Sequence, residues 1–467
     1  MNAVMAGVIG YILMQFVIGA LVSRRISTES DYINAGRKLG PVIGAFTVFA
    51  TWFGAEVIVG TSGSVYEQGL RGAEFDPFGY AFALFIAGAF FAAALWRRGL
   101  TTFADFFRER FGARTERLVV VLLVPGSIFW AAAQIRAFGQ VVSAVSATDV
   151  TIAITFAAVV VSAYTVLGGL MADAITDLVQ GIAVIIGLVV LAVMAAGELG
   201  GFAHSIAALP ASRFEVAFTD QHWAERLEHW LIPVCGTIVA IELVSRILGC
   251  RSAKVAARAT MSGAALYLVV GLVPIYLGLV APGLLPGISE AELEQVVPRL
   301  AEKLLPGMLY IMFAGAIISA ILSTVDSTLI AAASLLSHNV IAILLGHPSE
   351  RTRLISVRAS VIVLTVIAYA LAMTTSSIRD LVEIAAAFGS SGVIVCLVFG
   401  LFTRIGAEPS ALAALLVGAG TWGAATVIEA TAIPYTIALV AAVVAYLALA
   451  SLGTSALNKP GASPTAT

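Results

Sequence analysis

The chain has 467 residues, of which 60% are hydrophobic and only 12% charged, with a mean hydropathy of +0.99. That balance excludes a soluble globular protein and describes a polytopic membrane protein. A formal net charge of −2 offers no basic surface to nucleic acid, and three cysteines without CxxC spacing, with five scattered histidines, support neither a disulfide scaffold nor a zinc site.

A spanning helix needs roughly 20 mostly apolar residues. About 13 such windows run along the chain, near 3–22, 40–65, 76–96, 117–144, 149–168, 172–197, 228–248, 259–280, 308–343, 353–373, 378–402, 408–428 and 432–452. The first has no basic n-region and is followed by Arg24-Arg25, so it reads as a span rather than a cleaved leader. With the N-terminus outside, the inner segments collect most of the 26 basic residues, among them Arg97, Arg98, Arg108, Arg110, Arg351 and Arg353. The positive-inside bias therefore predicts a multi-pass protein of the plasma (inner) membrane with an outer N-terminus and a cytoplasmic C-terminus.

The second window carries Phe53-Gly54-Ala55-Glu56 at mid-depth, and the seventh sets Pro233 and Gly236 three apart. Interrupted segments at corresponding places in two halves point to a transporter site built on inverted repeats. Their spacing of five spans predicts an extra N-terminal helix and first loop over 1–39, five-helix repeats over 40–197 and 228–402 with an extracellular linker at 198–227, two further helices over 403–454, and a disordered cytoplasmic tail at 455–467. Gly168-Gly169 and Gly389 read as turns or packing contacts.

The ninth window is the most informative. Ser319, Ser323, Thr324, Asp326, Ser327 and Thr328 set hydroxyls and a carboxylate into an apolar helix. Intramembrane carboxylates mark ion or substrate paths, and an oxygen-rich, nitrogen-poor site suits a small hard cation such as Na⁺. The competing reading of Ser327 and Thr328 is a back-bond to the carbonyl four residues earlier.

Together with Ala50-Thr51-Trp52-Phe53, Gly60-Thr61-Ser62-Gly63, Phe129-Trp130, Tyr164 to Gly169 and Thr176-Asp177 to Gln180, this segment resembles the sodium:solute symporter family, which includes the proline permease and the sialic acid, galactose and high-affinity choline symporters. The resemblance spans about residues 5–450. It implies an all-α LeuT-like fold and sodium-coupled import of a small organic solute by alternating access, with no enzymatic activity. It places a central Na⁺ against the carbonyls of Ala50, Phe53 and Thr324 and the hydroxyls of Ser327 and Thr328. Asp177 falls where relatives hold a carboxylate on the ion's exit path. The further hydroxyls of a second sodium site are replaced by Ile330 and Ala331, leaving Ser323 or Asp326 as substitutes, and a hydrated interfacial carboxylate is the other reading of Asp177.

In this architecture solute binds beside the ion, within reach of Trp52, Glu56, Trp130, Gln134, Thr237, Ala240, Ile241 and Glu242. Two indoles with nearby carboxylates suit an amine, either choline-like or proline-like. The choline relative has a further tryptophan where Ala240 stands, the galactose relative a glutamine where Val57 stands, and Glu242 has Arg246 or Arg136 as alternative partners. Packing is the competing reading of Trp130. A transporter-like solute sensor and a symporter of an organic anion or sugar are the alternatives. No protein partner is implied beyond solute, Na⁺ and the bilayer.

Overall fold

The computed structural model describes residues 9–10, 13–14, 16–18, 20–22, 26, 28–54, 56–74, 76–146, 148–215, 223–346, 348–375, 378–428 and 431–457. Regular structure among them is helical apart from one isolated backbone bridge. Hydrocarbon supplies no hydrogen-bond partners, so crossing segments must close their own backbone bonds, and apolar runs of this length settle as helices.

The first spans in the described region are a bent pair, α1 (Pro41–Trp52) and α2 (Glu56–Ala73), inclined at 52°. Phe78–Trp96 (α3), Ala113–Ser146 (α4) and the 49-residue Val150–Glu198 (α5) follow. The last is two spans joined at Gly169, whose φ of 59° and ψ of 177° turn the chain where a Cβ would stand 3.0 Å from Tyr32. A second bent pair, α6 (Trp223–Val239) and α7 (Ile241–Gly249), is inclined at 40° and stands five spans after the first. The remaining helices are α8 (Ala253–Leu284), α9 (Gly307–Leu336), α10 (Glu350–Thr374), α11 (Ile378–Ala387), α12 (Ser390–Phe402), α13 (Glu408–Val427) and α14 (Pro434–Leu457). Much of the window 3–22 and residues 458–467 of the expected tail lie outside the described residues, whereas 455–457 still belong to α14.

The breaks refine the expectation. The first falls at Phe53 and Gly54, as the sequence suggests, with Phe53 at φ −81°, ψ 61°. The second does not fall at Pro233 or Gly236: α6 runs through both and stops at Ala240, which is extended at φ −61°, ψ 124°. Gly236 serves contact instead, since a Cβ there would lie 2.6 Å from the Ala386 carbonyl. A proline is tolerated mid-span where neighbouring helices meet its freed groups.

The α9 helix is buried along nearly its whole length and packs against α4, α5, α10 and α1, while α1 lies on α5 and α8. The segment entering α1 and the end of α7 are joined by main-chain hydrogen bonds: Leu39 N–H donates to Gly249 O, and Arg251 N–H donates to Leu39 O, both at 3.0 Å. At the arginine-rich end, Glu29 accepts from Arg353 at 3.2 Å and contacts His338 at 3.1 Å. Burial pushes the Glu29 carboxyl up, but these partners prevail and hold it below its usual value. Beside them, Asn339 donates to Asp105 and Glu116 at 2.8 and 2.7 Å.

The carboxylate of Glu228 on α6 caps α14, accepting from the Tyr435 and Thr436 amides at 2.5 and 2.6 Å and from the Thr436 hydroxyl at 2.6 Å. A carboxylate at a helix N-terminus satisfies orphan amides and complements the dipole. Glu228→Ala is expected to destabilise the protein by about 1–3 kcal/mol, read as a lower midpoint of thermal unfolding in detergent.

Candidate functional site

At the first break the backbone changes partners. Gly54 N–H donates to Trp52 O at 2.9 Å instead of reaching Ala50, whose carbonyl accepts the Thr324 hydroxyl from α9 at 3.3 Å. A Cβ on residue 54 would stand 2.9 Å from Gln134 Oε1 and 3.0 Å from Thr324 Oγ1, so glycine permits this approach of three helices. The turn also orients Trp52, whose indole N–H donates to Thr237 of α6 at 3.3 Å. The two broken spans therefore meet through a side chain embedded in the first break.

They meet around a cavity of about 60 Å³, several times the roughly 10–15 Å³ one water needs. Trp52, Trp130, Thr237, Ala240, Ile241 and Glu242, six of the eight expected solute residues, line it. Gln134 instead packs against Gly54. Glu56 stands one step outside, accepting at 3.3 Å from Tyr80, which does line the cavity. Glu242 lines the cavity, and its carboxylate accepts from Ser127, another lining residue, at 2.5 Å. Neither alternative partner holds that carboxylate: Arg246 turns to Asp173, and Arg136 donates to Ala372 O at 3.4 Å.

Elsewhere along α9, its hydroxyls meet two carboxylates of α5. Asp177 is fully buried and accepts from Thr47 at 2.5 Å and from Ser323, so it is not a hydrated interfacial group. Ser327 donates to Asp173 at 2.8 Å and is also bonded to Arg246, whose guanidinium reaches Asp173 at 2.5 Å. Thr328 makes the back-bond, to Thr324 O at 2.8 Å, whereas Ser327 does not. Asp326 is equally buried, and Thr165 beside it donates to Val161 O at 2.8 Å. Ser323 thus joins Asp177, while Asp326 does not.

The oxygen-only donor set, with three buried carboxylates facing one guanidinium, fits a hard cation. Ala50 O and Thr324 are already in contact, and Phe53, Ser327 and Thr328 are also buried. Sequence reading missed Asp173, Ser127 and Tyr80. Asp173 had a usable signal, since it precedes Asp177 by one helical turn and shares its face.

This is the architecture of a LeuT-like transporter, with two broken helices meeting beside a cavity and a cluster of buried oxygens. The Sodium:solute symporter family model matches residues 32–418, and the chain belongs to that family. It is 28% identical over 395 residues to high-affinity choline transporter 1 of Drosophila melanogaster, covering 80% of this chain and 63% of the relative's length. The sodium/proline symporter of Staphylococcus aureus (strain JH9) is 27% identical over 439 residues, covering 87% of this chain and 83% of that protein. The fold matches a substrate-bound, outward-open Na⁺-coupled sialic acid symporter at a TM-score of 0.84 and 18% identity, over 97% of this chain and 98% of that one. The closed form of Mhp1, a nucleobase-cation-symport-1 family transporter, matches at 0.64 and 14% identity, over 92% and 95%.

Thr47→Val and Ser323→Ala each remove a hydrogen bond from a fully buried carboxylate. Each is expected to cost about 1–3 kcal/mol, measurable as reduced thermal stability in Na⁺-free detergent.

Proposed function

We propose that this chain is a sodium-coupled symporter that imports a small amine-bearing solute across the plasma (inner) membrane by alternating access, with its N-terminus outside and its C-terminus in the cytoplasm. One observation carries the reading. Trp52 lies between the cation-facing residues Ala50 and Phe53, bonds Thr237 on the other broken span, and lines the cavity. Cation and solute then share one unwound turn. Each stabilises the same local conformation, and linkage makes each raise the other's affinity by the same factor.

The roles follow from the donor set. Ala50, Phe53, Thr324, Ser327 and Thr328 would supply oxygens to the transported Na⁺, while Asp177 and Ser323 stand on its path toward the cytoplasm, with Asp326 nearby. An inward gradient adds about 2.3 kcal/mol per charge per 100 mV of membrane potential to the concentration term. The solute's amine would meet Glu242, with the Trp52 and Trp130 rings beside it; each ring face adds about 0.5–2 kcal/mol to a cation. Choline and proline relatives support an amine. Ala240 occupies cavity wall where the choline relative has a further aromatic, leaving room for a bulkier solute than choline. The exposed apolar rows on α10 and α14 suit the bilayer.

Reconstituted in liposomes, the protein should accumulate the solute identified by an amine and amino-acid screen only under an inward Na⁺ gradient, and should exchange labelled solute in counterflow. Unchanged uptake when K⁺ replaces Na⁺ would reject sodium coupling, and binding without exchange would indicate a sensor.

Trp52→Ala should weaken solute binding by about 2- to 30-fold, the equivalent of one cation–π contact, and reduce the gain that Na⁺ confers. Glu242→Gln should narrow the preference for an amine over its uncharged isostere. Direct binding measurements on both variants check this, and selection of a neutral sugar over every amine would reject the amine assignment.

A further inference from the structure

Besides the shared turn of α1, α7 provides a second physical connection between the oxygens of α9 and the solute cavity. A serine hydroxyl has one proton and two lone pairs. Ser327 gives its proton to Asp173 and one lone pair to Arg246, which leaves one lone pair for a cation and holds the proton away from it. Partners behind a metal ligand act in this way elsewhere, fixing its orientation and strengthening it as a donor. Arg246 sits one turn after Glu242 on α7, a half-helix of nine residues that begins at the Ala240 break. Ser245 Oγ and Arg246 Nη1 also donate to the Glu242 carbonyl, at 2.8 and 3.4 Å. The free end of the half-helix thus faces solute, and its next turn grips a cation ligand.

We propose that Asp173 and Arg246 are positioning residues: they aim the free lone pair of Ser327 at the cation, and through α7 they transmit cation occupancy to Glu242. This rests on the sodium-coupled reading above and deepens it. Arg246 is suited to the task because its planar fork holds Asp173 and Ser327 together, which a lysine ammonium cannot do in the same geometry. All three side chains are fully buried, so water does not compete for these bonds.

Na⁺ alone is the probe. In the unaltered protein, Na⁺ but not K⁺ should raise the unfolding midpoint and slow hydrogen–deuterium exchange across 241–249. Asp173→Asn should raise the Na⁺ midpoint by about 10-fold or more. Arg246→Lys should still bind Na⁺ but lose the exchange response of α7. Because both variants disturb a buried pair, Ser327→Ala, which strands no charge, is the third arm: at Na⁺ sufficient to restore occupancy, its α7 exchange should no longer respond. A wild-type Na⁺ midpoint in Asp173→Asn, or an intact α7 response in Arg246→Lys or Ser327→Ala, overturns the inference while leaving sodium coupling standing. Absence of any Na⁺ response in the unaltered protein overturns both.

Discussion

A peptide carbonyl released from its helix inside hydrocarbon has no water to turn to, and the site is organised around that constraint. At Gly54 the chain gives up helical bonding, and the loss is made good locally: Gly54 folds back on Trp52, and Ala50 passes to Thr324. The need for that hydroxyl brings α9 against the break. Glycine at 54 leaves room for Gln134 and Thr324 to approach the turn, and the same turn sets the angle of Trp52. Site and fold are therefore one arrangement, with the cavity placed where backbone bonding is interrupted.

Charge reinforces this geometry. Asp173, Asp177 and Asp326 are buried within neighbouring turns of α5 and α9, and Arg246 is the cation bonded among them. A buried ion pair repays its desolvation only with good geometry and further hydrogen bonds. Asp173 and Arg246 have both, through Ser327. The remaining carboxylates make this region attractive to a small cation, and an ion arriving there finds carbonyls and hydroxyls already gathered by the broken helix.

Much of this was legible in the residues. Apolar runs located the spans because bilayer thickness fixes their length, and Gly54 and Gly169 marked real departures from helix, the second because its positive φ is a backbone few other residues accept. The second break was misplaced. Pro233 and Gly236 carry the strongest local signals, but tertiary contact absorbs them, and Ala240 carries no signal of its own. Partnerships across helices were harder still. Glu242 reads equally well as a partner of Arg246 one turn away, and only the packing of α4 shows that Ser127 holds it while Arg246 faces Asp173. Periodicity along one helix reports which side is buried, never which side chain waits opposite.

The main-chain seam between Leu39 and residues 249–251 has a different kind of consequence. Its hydrogen bonds run between peptide groups, so they do not depend on side-chain donors or acceptors, and they fasten the approach to the first broken span to the exit from the second. The frame of the site is thereby inherited with the course of the backbone rather than with residue identity. The walls of the cavity are free to diverge over a fixed chassis, so that new solutes can be accommodated by exchanging side chains such as that of residue 240 without rebuilding the machine that moves them.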